Sequence, residues 1–263
     1  MSLITLSTDF GWDDPYVGIM KGVILGINPQ VCMIDLSHAL SHQRLQQAAF
    51  MLQSAYAFFP KGSIHLAVVD PGVGGDRRLL AIEGSAHFWV GPDNGLFTMV
   101  LKKEPQVKMV HLSNSAFFLK KISFTFHGRD ILAPAAAHLS LGVPLEEMGP
   151  AISDPVLLTI PEPQIKDEEI TGEVLWADHF GNLITNIPQE ALEKLKPGQA
   201  LTVWVDSQPI REIHQTYSQG RPGNLMALIG SSGYLEIAVN LGRAAEQLGF
   251  RPSRTLKVHV SGF

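Results

Sequence analysis

The chain has 263 residues, 45% apolar and 17% charged, with a net charge of −5 and a single cysteine, Cys32. That length holds one large domain or two modest ones with a real core, and the acidic balance without a Lys/Arg run argues against a nucleic-acid surface. One cysteine excludes thiolate zinc sites, and the lack of a signal region or an apolar span of about 18 residues points away from a membrane and to a cytoplasmic protein, with Cys32 a reduced core thiol.

In chain order, Leu3–Ser7 reads as a short strand running into Thr8-Asp9-Phe10-Gly11. Asp14-Pro15 then opens a helix, with Asp14 as N-cap, Pro15 at the first helical position, and an apolar face of Val17, Met20, Val23, Ile24 and Ile27. A strand over Val31–Leu36 ends at Asp35-Leu36-Ser37-His38, and a helix over Arg44–Phe58 stops at Pro60-Lys61-Gly62. The strand Ile64–Val69 fires into Asp70-Pro71-Gly72-Val73-Gly74-Gly75-Asp76-Arg77, which sets Asp70 at a sheet edge and lets Arg77 face it across a glycine turn. Strands over Leu79–Ile82, Phe88–Val90 and Val107–Leu112 follow, and Arg129–Leu141 reads as a helix closed by Gly142. Alternating strands and helices predict an α/β domain over residues 1–160, a mostly parallel sheet flanked by helices.

The pattern changes at Pro161-Glu162-Pro163, and the Pro-rich, charged stretch 161–169 is the best linker candidate. Beyond it, Thr171–Ala177, Leu183–Ile187, Ala200–Val205, Leu225–Ile229, Leu235–Val239 and Leu256–Val260 read as strands, with short helices near Gln189–Leu195 and Leu241–Gln247. Residues 170–263 are therefore expected to form a smaller, β-rich, barrel-like domain.

Common motifs fail. Gly72-Val73-Gly74-Gly75-Asp76-Arg77 has Arg where a dinucleotide loop needs its third glycine, no ATPase-type phosphate loop exists, and no serine sits in a nucleophile elbow. Asp9, Asp13, Asp14, His38, His42, His127 and Asp130 could be gathered on a metal, but their spacing matches no familiar ligand motif. What remains is a set of polar strand ends: Asp9, Asp35 to His38, Asp70 with Arg77, Asp93-Asn94, and Phe126-His127-Gly128-Arg129-Asp130. Converging at one sheet edge, they would form an acidic cleft with a histidine and an arginine. Such a cleft suits a cationic, hydroxyl-bearing small molecule.

Six blocks occur together in order: Ser7-Thr8-Asp9-Phe10-Gly11, Tyr16-Val17-Gly18-Ile19-Met20-Lys21-Gly22, Val69-Asp70-Pro71-Gly72-Val73-Gly74, Gly91-Pro92-Asp93-Asn94-Gly95, Phe126-His127-Gly128-Arg129-Asp130 and Phe180-Gly181-Asn182. In them the chain resembles the S-adenosylmethionine hydroxide adenosyltransferase family, relatives of the bacterial fluorinating and chlorinating enzymes, nearly end to end from Leu3 through the segment Gly230 to Glu236. The resemblance implies cleavage of S-adenosylmethionine by water to adenosine and methionine, with no metal or cofactor, in a homotrimer that holds substrate between neighbouring subunits. It maps a catalytic set onto Asp70, Arg77 and His127, and the ribose hydroxyls onto Asp9. Phe180 and Asn182, with backbone around Ser232 and Leu241, are implied for adenine, and Asp14, Asp178 and Ser231 for the amino-acid end. The halogenating relatives place a tyrosine where Asp70 stands, which disfavours halogenation here. Ser41-His42-Gln43 departs from the Pro and aromatic that many members carry after the Asp-x-Ser-His block. Two other classes stay open, a metal-dependent hydrolase using Asp9, Asp14 and His38 and a non-catalytic S-adenosylmethionine or adenosine sensor.

Overall fold

A computed structural model describes residues 2–40, 44–195, 201–251 and 254–262. The Ser41-His42-Gln43 departure and Ala200 lie outside them. The chain divides into two compact units, Met1–Leu158 and Thr159–Phe263.

The first unit runs β1 (Leu3–Thr8), α1 (Tyr16–Ile27), β2 (Cys32–Ser37), α2 (Leu45–Ala55), β3 (Ile64–Val68), β4 (Leu79–Glu83), β5 (Phe88–Pro92), α3 (Thr98–Lys103), β6 (Lys108–His111) and α4 (Ala133–Ser140). Its sheet has the order β2-β1-β3-β5-β4-β6. β2, β1, β3 and β5 are parallel, while β4 runs antiparallel to both β5 and β6. Every residue of β3 is buried, as befits a strand covered on both faces. The strand period of two then sorts its side chains. Leu66 and Val68 pack in a layer with Met20, Ile24 and Ala133 of α1 and α4, whereas Ala67 and Val69 pack with Ala48 and Leu52 of α2, Trp89 and Val100. Asp70 continues the even-numbered series. The chain order places a switch between β1 and β3, since β1 leads outward to β2 and β3 leads the other way to β5.

Several local expectations change. Pro15, not Asp14, sits at the N-cap of α1, and no side chain caps that end, so Asp14 belongs to the exposed loop before the helix. Cys32 is half-buried because it opens β2, the edge strand of the sheet. The single helix expected over Arg129–Leu141 is a π-helical turn, Gly128–Leu132, followed by α4. Pro134 supplies the reason: it has no N–H to donate back to Asp130. The Asp130 carbonyl accepts from Leu119 N instead, at 2.9 Å. Gly91 is required by close packing, since a Cβ there would lie 2.5 Å from the Ala67 carbonyl oxygen.

The second unit contains β7 (Gln164–Lys166), β8 (Glu169–Ala177), β9 (Leu183–Pro188), α5 (Gln189–Leu192), β10 (Leu201–Val205), β11 (Gln208–Ile210), β12 (Ile213–His214), β13 (Leu225–Ile229), β14 (Tyr234–Val239), α6 (Ala244–Gln247) and β15 (Lys257–Gly262). Its nine strands curl into a nearly closed barrel in the order β11-β10-β15-β8-β9-β14-β13-β12, with β7 added to β8. Ile170, Gly172 and Val174 of β8 are buried, and exposed or partly exposed residues alternate with them. Part of the stretch read as a linker is a hairpin: β7 pairs with β8 across Asp167 and Glu168, both at positive φ as a two-residue type I′ loop needs. Among the described residues no helix is long and apolar enough to cross a membrane.

Candidate active site

A cavity of about 300 Å³ lies at the end of β1 and β3, the switch point where α/β sheets hold ligands. Asp9, Phe10 and Tyr16 form one wall, Val68, Asp70 and Val73 a second, and Thr125 to Gly128 a third. The strand period explains Asp70: on the same face as Val68, it points to the α1 and α4 side. Gly128 lets the His127 turn approach this strand, because a Cβ there would stand 3.2 Å from Val68 Cγ1 and 3.4 Å from Met20 Sδ. Gly74, at φ +81, closes the other side, where a Cβ would lie 2.4 Å from the Phe124 carbonyl oxygen.

Asp70, Arg77 and His127 form one connected group. Arg77 Nε donates to both carboxylate oxygens of Asp70, at 2.8 and 3.0 Å, and Arg77 Nη2 donates to Oδ2 as well. The same Nη2 donates to His127 Nδ1 at 3.0 Å. A guanidinium has no acceptor, so Nδ1 must accept, and a neutral His127 carries its proton on Nε2. Burial, then the neighbouring Arg77 guanidinium, pushes His127 below the ordinary histidine range, against an opposing pull from Asp70 and Asp130. Asp130 is fully buried and accepts from Arg129 Nε at 2.6 Å, Arg129 Nη2 at 2.9 Å and Ser123 N at 2.7 Å. Burial favours its neutral form, but these bonds outweigh it and the carboxyl falls below its usual range. This arrangement anchors the turn that carries His127.

The aromatic wall was not foreseen, although its residues lie in the recognised blocks. Phe10, Tyr16 and Phe126 meet edge to face, with centroid distances of 5.8, 5.7 and 5.3 Å. Of the other polar strand ends, Asp35 and His38 lie behind the Asp9 loop rather than in the cavity wall. Asp93 and Asn94 do not converge on it either. Asp93 accepts from Arg78 Nε and Val156 N, both at 2.8 Å, and Asn94 Nδ2 donates to the Val69 carbonyl, so these two tie loops together. Asp14 is exposed and is not part of this cavity's wall. Among the described residues no three His, Cys, Asp or Glu side chains gather as a metal-binding group, and His42 lies outside those residues.

In the second unit, Asp178, Phe180 and Asn182 share one loop. Asp178 accepts from Asn182 N at 2.8 Å and Asn182 Nδ2 at 3.1 Å, which leaves Phe180 at the tip, 69% exposed. Gly181, at φ +83, allows Arg243 to pack within 2.8 Å of where its Cβ would be, and Ala245 N donates to the Gly181 carbonyl. Leu241, at φ +56 and 88% exposed, precedes that contact. Ser231 and Ser232 are exposed in the turn between β13 and β14, which Gly230 N closes on the Tyr234 carbonyl. Beneath that turn the buried Glu236 accepts from Tyr217 Oη at 2.5 Å, and burial, with nearby Asp178, raises its carboxyl above the usual range.

The family model for the SAM hydroxide adenosyltransferase N-terminal domain matches residues 4–149, and that for its C-terminal domain matches residues 172–257. The chain belongs to the SAM hydroxide adenosyltransferase family. It is 38% identical over 258 residues to a protein of Salinispora tropica named (R)-S-adenosyl-L-methionine hydrolase, covering 97% of each chain. A fluorinase from an Actinoplanes species matches at 27% identity, again over 97% of each. Among solved structures, an uncharacterized conserved protein from Thermotoga maritima superposes with a TM-score of 0.90 at 34% identity, covering 99% of this chain and 100% of that one.

Proposed function

We propose that this protein hydrolyses S-adenosyl-L-methionine to adenosine and L-methionine, by attack of water on the ribose C5′. The observation that supports this most directly is the Arg77 bridge, which joins a carboxylate and a neutral imidazole at the wall of a switch-point cavity. As the water oxygen bonds to C5′, the C5′–S bond breaks and its electron pair stays on sulfur. The sulfonium becomes a neutral thioether, and one water proton must leave. With Nδ1 of His127 engaged by Arg77, its Nε2–H serves as a donor that orients the water. Asp70 is the acceptor in the group, so it takes the proton and passes it to solvent. Holding water and C5′ in line lowers the barrier through proximity, and base assistance adds typically about 10²–10⁴-fold.

Asp9 holds the ribose hydroxyls in this reading. Phe180, Asn182, Ser232 and Leu241 contact adenine, and Asp178 and Ser231, with Asp14 from its loop, take the amino-acid end. The assembly in this reading is a homotrimer in which a neighbouring subunit completes each site and covers exposed apolar groups of the site loops such as Trp12, Phe124, Phe180 and Leu241. The reaction needs no metal or cofactor, and its substrate is a soluble metabolite of the cytoplasm. Incubation with S-adenosylmethionine in ¹⁸O-labelled water, with and without chelator, tests the proposal. Equal adenosine and methionine are expected, with label at the adenosine 5′-hydroxyl in both arms. Unlabelled adenosine, homocysteine as product, or loss of turnover in chelator would overturn it.

A further inference from the structure

Behind the cavity, four side chains form a single chain of contacts. Lys21 Nζ lies 2.6 Å from Asp35 Oδ2, His38 Nε2 lies 3.0 Å from Asp35 Oδ1, and His38 Nδ1 lies 2.8 Å from Thr8 Oγ1. Phe10 N donates to that same hydroxyl oxygen at 3.3 Å. His38 Nε2 meets Asp35 as a close polar contact rather than an aligned hydrogen bond, while Nδ1 shares a hydrogen with the Thr8 hydroxyl, whose oxygen also accepts from Phe10 N. His38 and Thr8 are both fully buried. Two backbone bonds clamp the same segments together: Gly11 N to the His38 carbonyl at 2.8 Å and Leu40 N to the Thr8 carbonyl at 3.2 Å. Trp12 packs its ring edge-on to His38 at 4.5 Å between centroids.

Threonine, histidine and aspartate in this order resemble a nucleophilic triad, but a hydroxyl with no solvent exposure cannot reach a substrate. The group has another use. Between Thr8 and Phe10 lies Asp9, and both Asp9 and Phe10 line the cavity. We infer that His38 is a positioning residue: acting through Thr8, it fixes the Asp9 loop in the geometry that binds substrate. The inference rests on the reading that Asp9 holds the ribose. A hydrogen-bonded support of this kind sets orientation, and small misplacements of a binding group cost affinity or rate well out of proportion to the shift.

The test compares Thr8→Val, which keeps shape but removes the hydroxyl, with Thr8→Ser, which keeps the hydroxyl. His38→Asn keeps an acceptor near Nδ1 but drops the link to Asp35, and Asp9→Ala and Thr8→Val/Asp9→Ala complete the set. Steady-state kinetics with S-adenosylmethionine and calorimetric titration with adenosine are the readouts. Thr8→Val is expected to raise KM and weaken adenosine binding by about tenfold, with kcat changed less than about threefold. Thr8→Ser should restore both, His38→Asn should fall between, and the double variant should be no worse than Asp9→Ala, because coupled residues are not additive. Additive losses overturn the inference, as do unchanged KM and adenosine affinity in Thr8→Val, whatever its melting temperature. If Thr8→Val does not fold, the same two measurements on His38→Asn decide, and wild-type values overturn it. Unchanged values in Asp9→Ala overturn the ribose assignment itself, and with it the inference, a failure separable from that of the Thr8 and His38 arms alone.

Discussion

Replacing Asp70 with asparagine separates the chemical role of this strand end from its structural one. The side chains of Asp70 and Arg77 are only 6% and 11% exposed, so their interaction is little screened. The carboxylate accepts at both oxygens from Arg77 Nε and again from Nη2. Asparagine keeps one acceptor oxygen and turns an NH₂ group toward a donor, leaving the guanidinium without its partner charge. Breaking a buried pair this way costs about 3–5 kcal/mol, and the retained acceptor puts the loss near the lower end. At about 2–4 °C per kcal/mol for a unit of this size, the melting temperature should drop by about 6–12 °C. The protein remains folded at assay temperature, so its chemistry can be read separately. If Asp70 receives the water proton, kcat should fall by about 10²-fold or more while adenosine affinity changes modestly. Scanning calorimetry, adenosine titration and turnover measured by chromatography give the three quantities. A lower melting temperature with kcat per folded molecule near wild type would refute the catalytic reading and leave Asp70 as a salt-bridge partner.

Two further predictions come from histidines. His127 is held below its ordinary range by burial and by Arg77, so kcat/KM should be flat near neutrality and fall as pH drops through a midpoint below 6.5, when the ring gains a charge beside the guanidinium; a midpoint above 6.5 would refute this. His65 on β3 is buried against Thr5 and His87, and burial, then His87, pushes it down to about 3. The unfolded chain therefore binds a proton here below about pH 6.5 that the folded chain refuses until about pH 3, so stability should be constant above this window and fall by about 3 kcal/mol between pH 6.5 and 4. Denaturant titrations of wild type and His65→Gln should show the slope reduced in the variant, and equal slopes would rule His65 out as its source.

Much of the architecture was legible because its signals are local and periodic. The buried run of β3, the Pro-Gly turn after Asp70 and the alternation of β8 each follow from side-chain period or turn chemistry. The pairing of Asp70 with Arg77 follows from a short loop between them. Less visible were features set by contacts distant in sequence. The π-helical turn depends on Leu119 taking the carbonyl that Pro134 leaves unpaired. The destination of Asp93 is decided by Arg78 and the Val156 amide, 63 residues away, which no reading of Gly-Pro-Asp-Asn-Gly could supply. The aromatic wall was hidden for a related reason: Phe10, Tyr16 and Phe126 look like core residues until the fold gathers them around an opening.

The same geometry bears on why water, rather than a halide, is the fitting nucleophile. The donors that face Asp70 and His127 are already engaged: Arg77 Nε is shared by both oxygens of Asp70, and Nη2 is divided between Asp70 and His127. A halide entering beside Asp70 would meet a carboxylate within contact distance. At an effective dielectric near 20, two like charges about 4 Å apart repel by about 4 kcal/mol, an upper bound that the adjoining Arg77 guanidinium reduces. Water suffers no such penalty. It can donate one hydrogen to the carboxylate while the His127 Nε2–H points toward its oxygen, and the attraction between carboxylate and proton grows as the C5′–O bond forms. The carboxylate also favours the positive sulfonium of the ground state, an attraction lost when the sulfur becomes neutral. In the proposed reaction Asp70 would gain by protonation as that charge disappears, so the group expected to slow a halide most is the one proposed to make water competent.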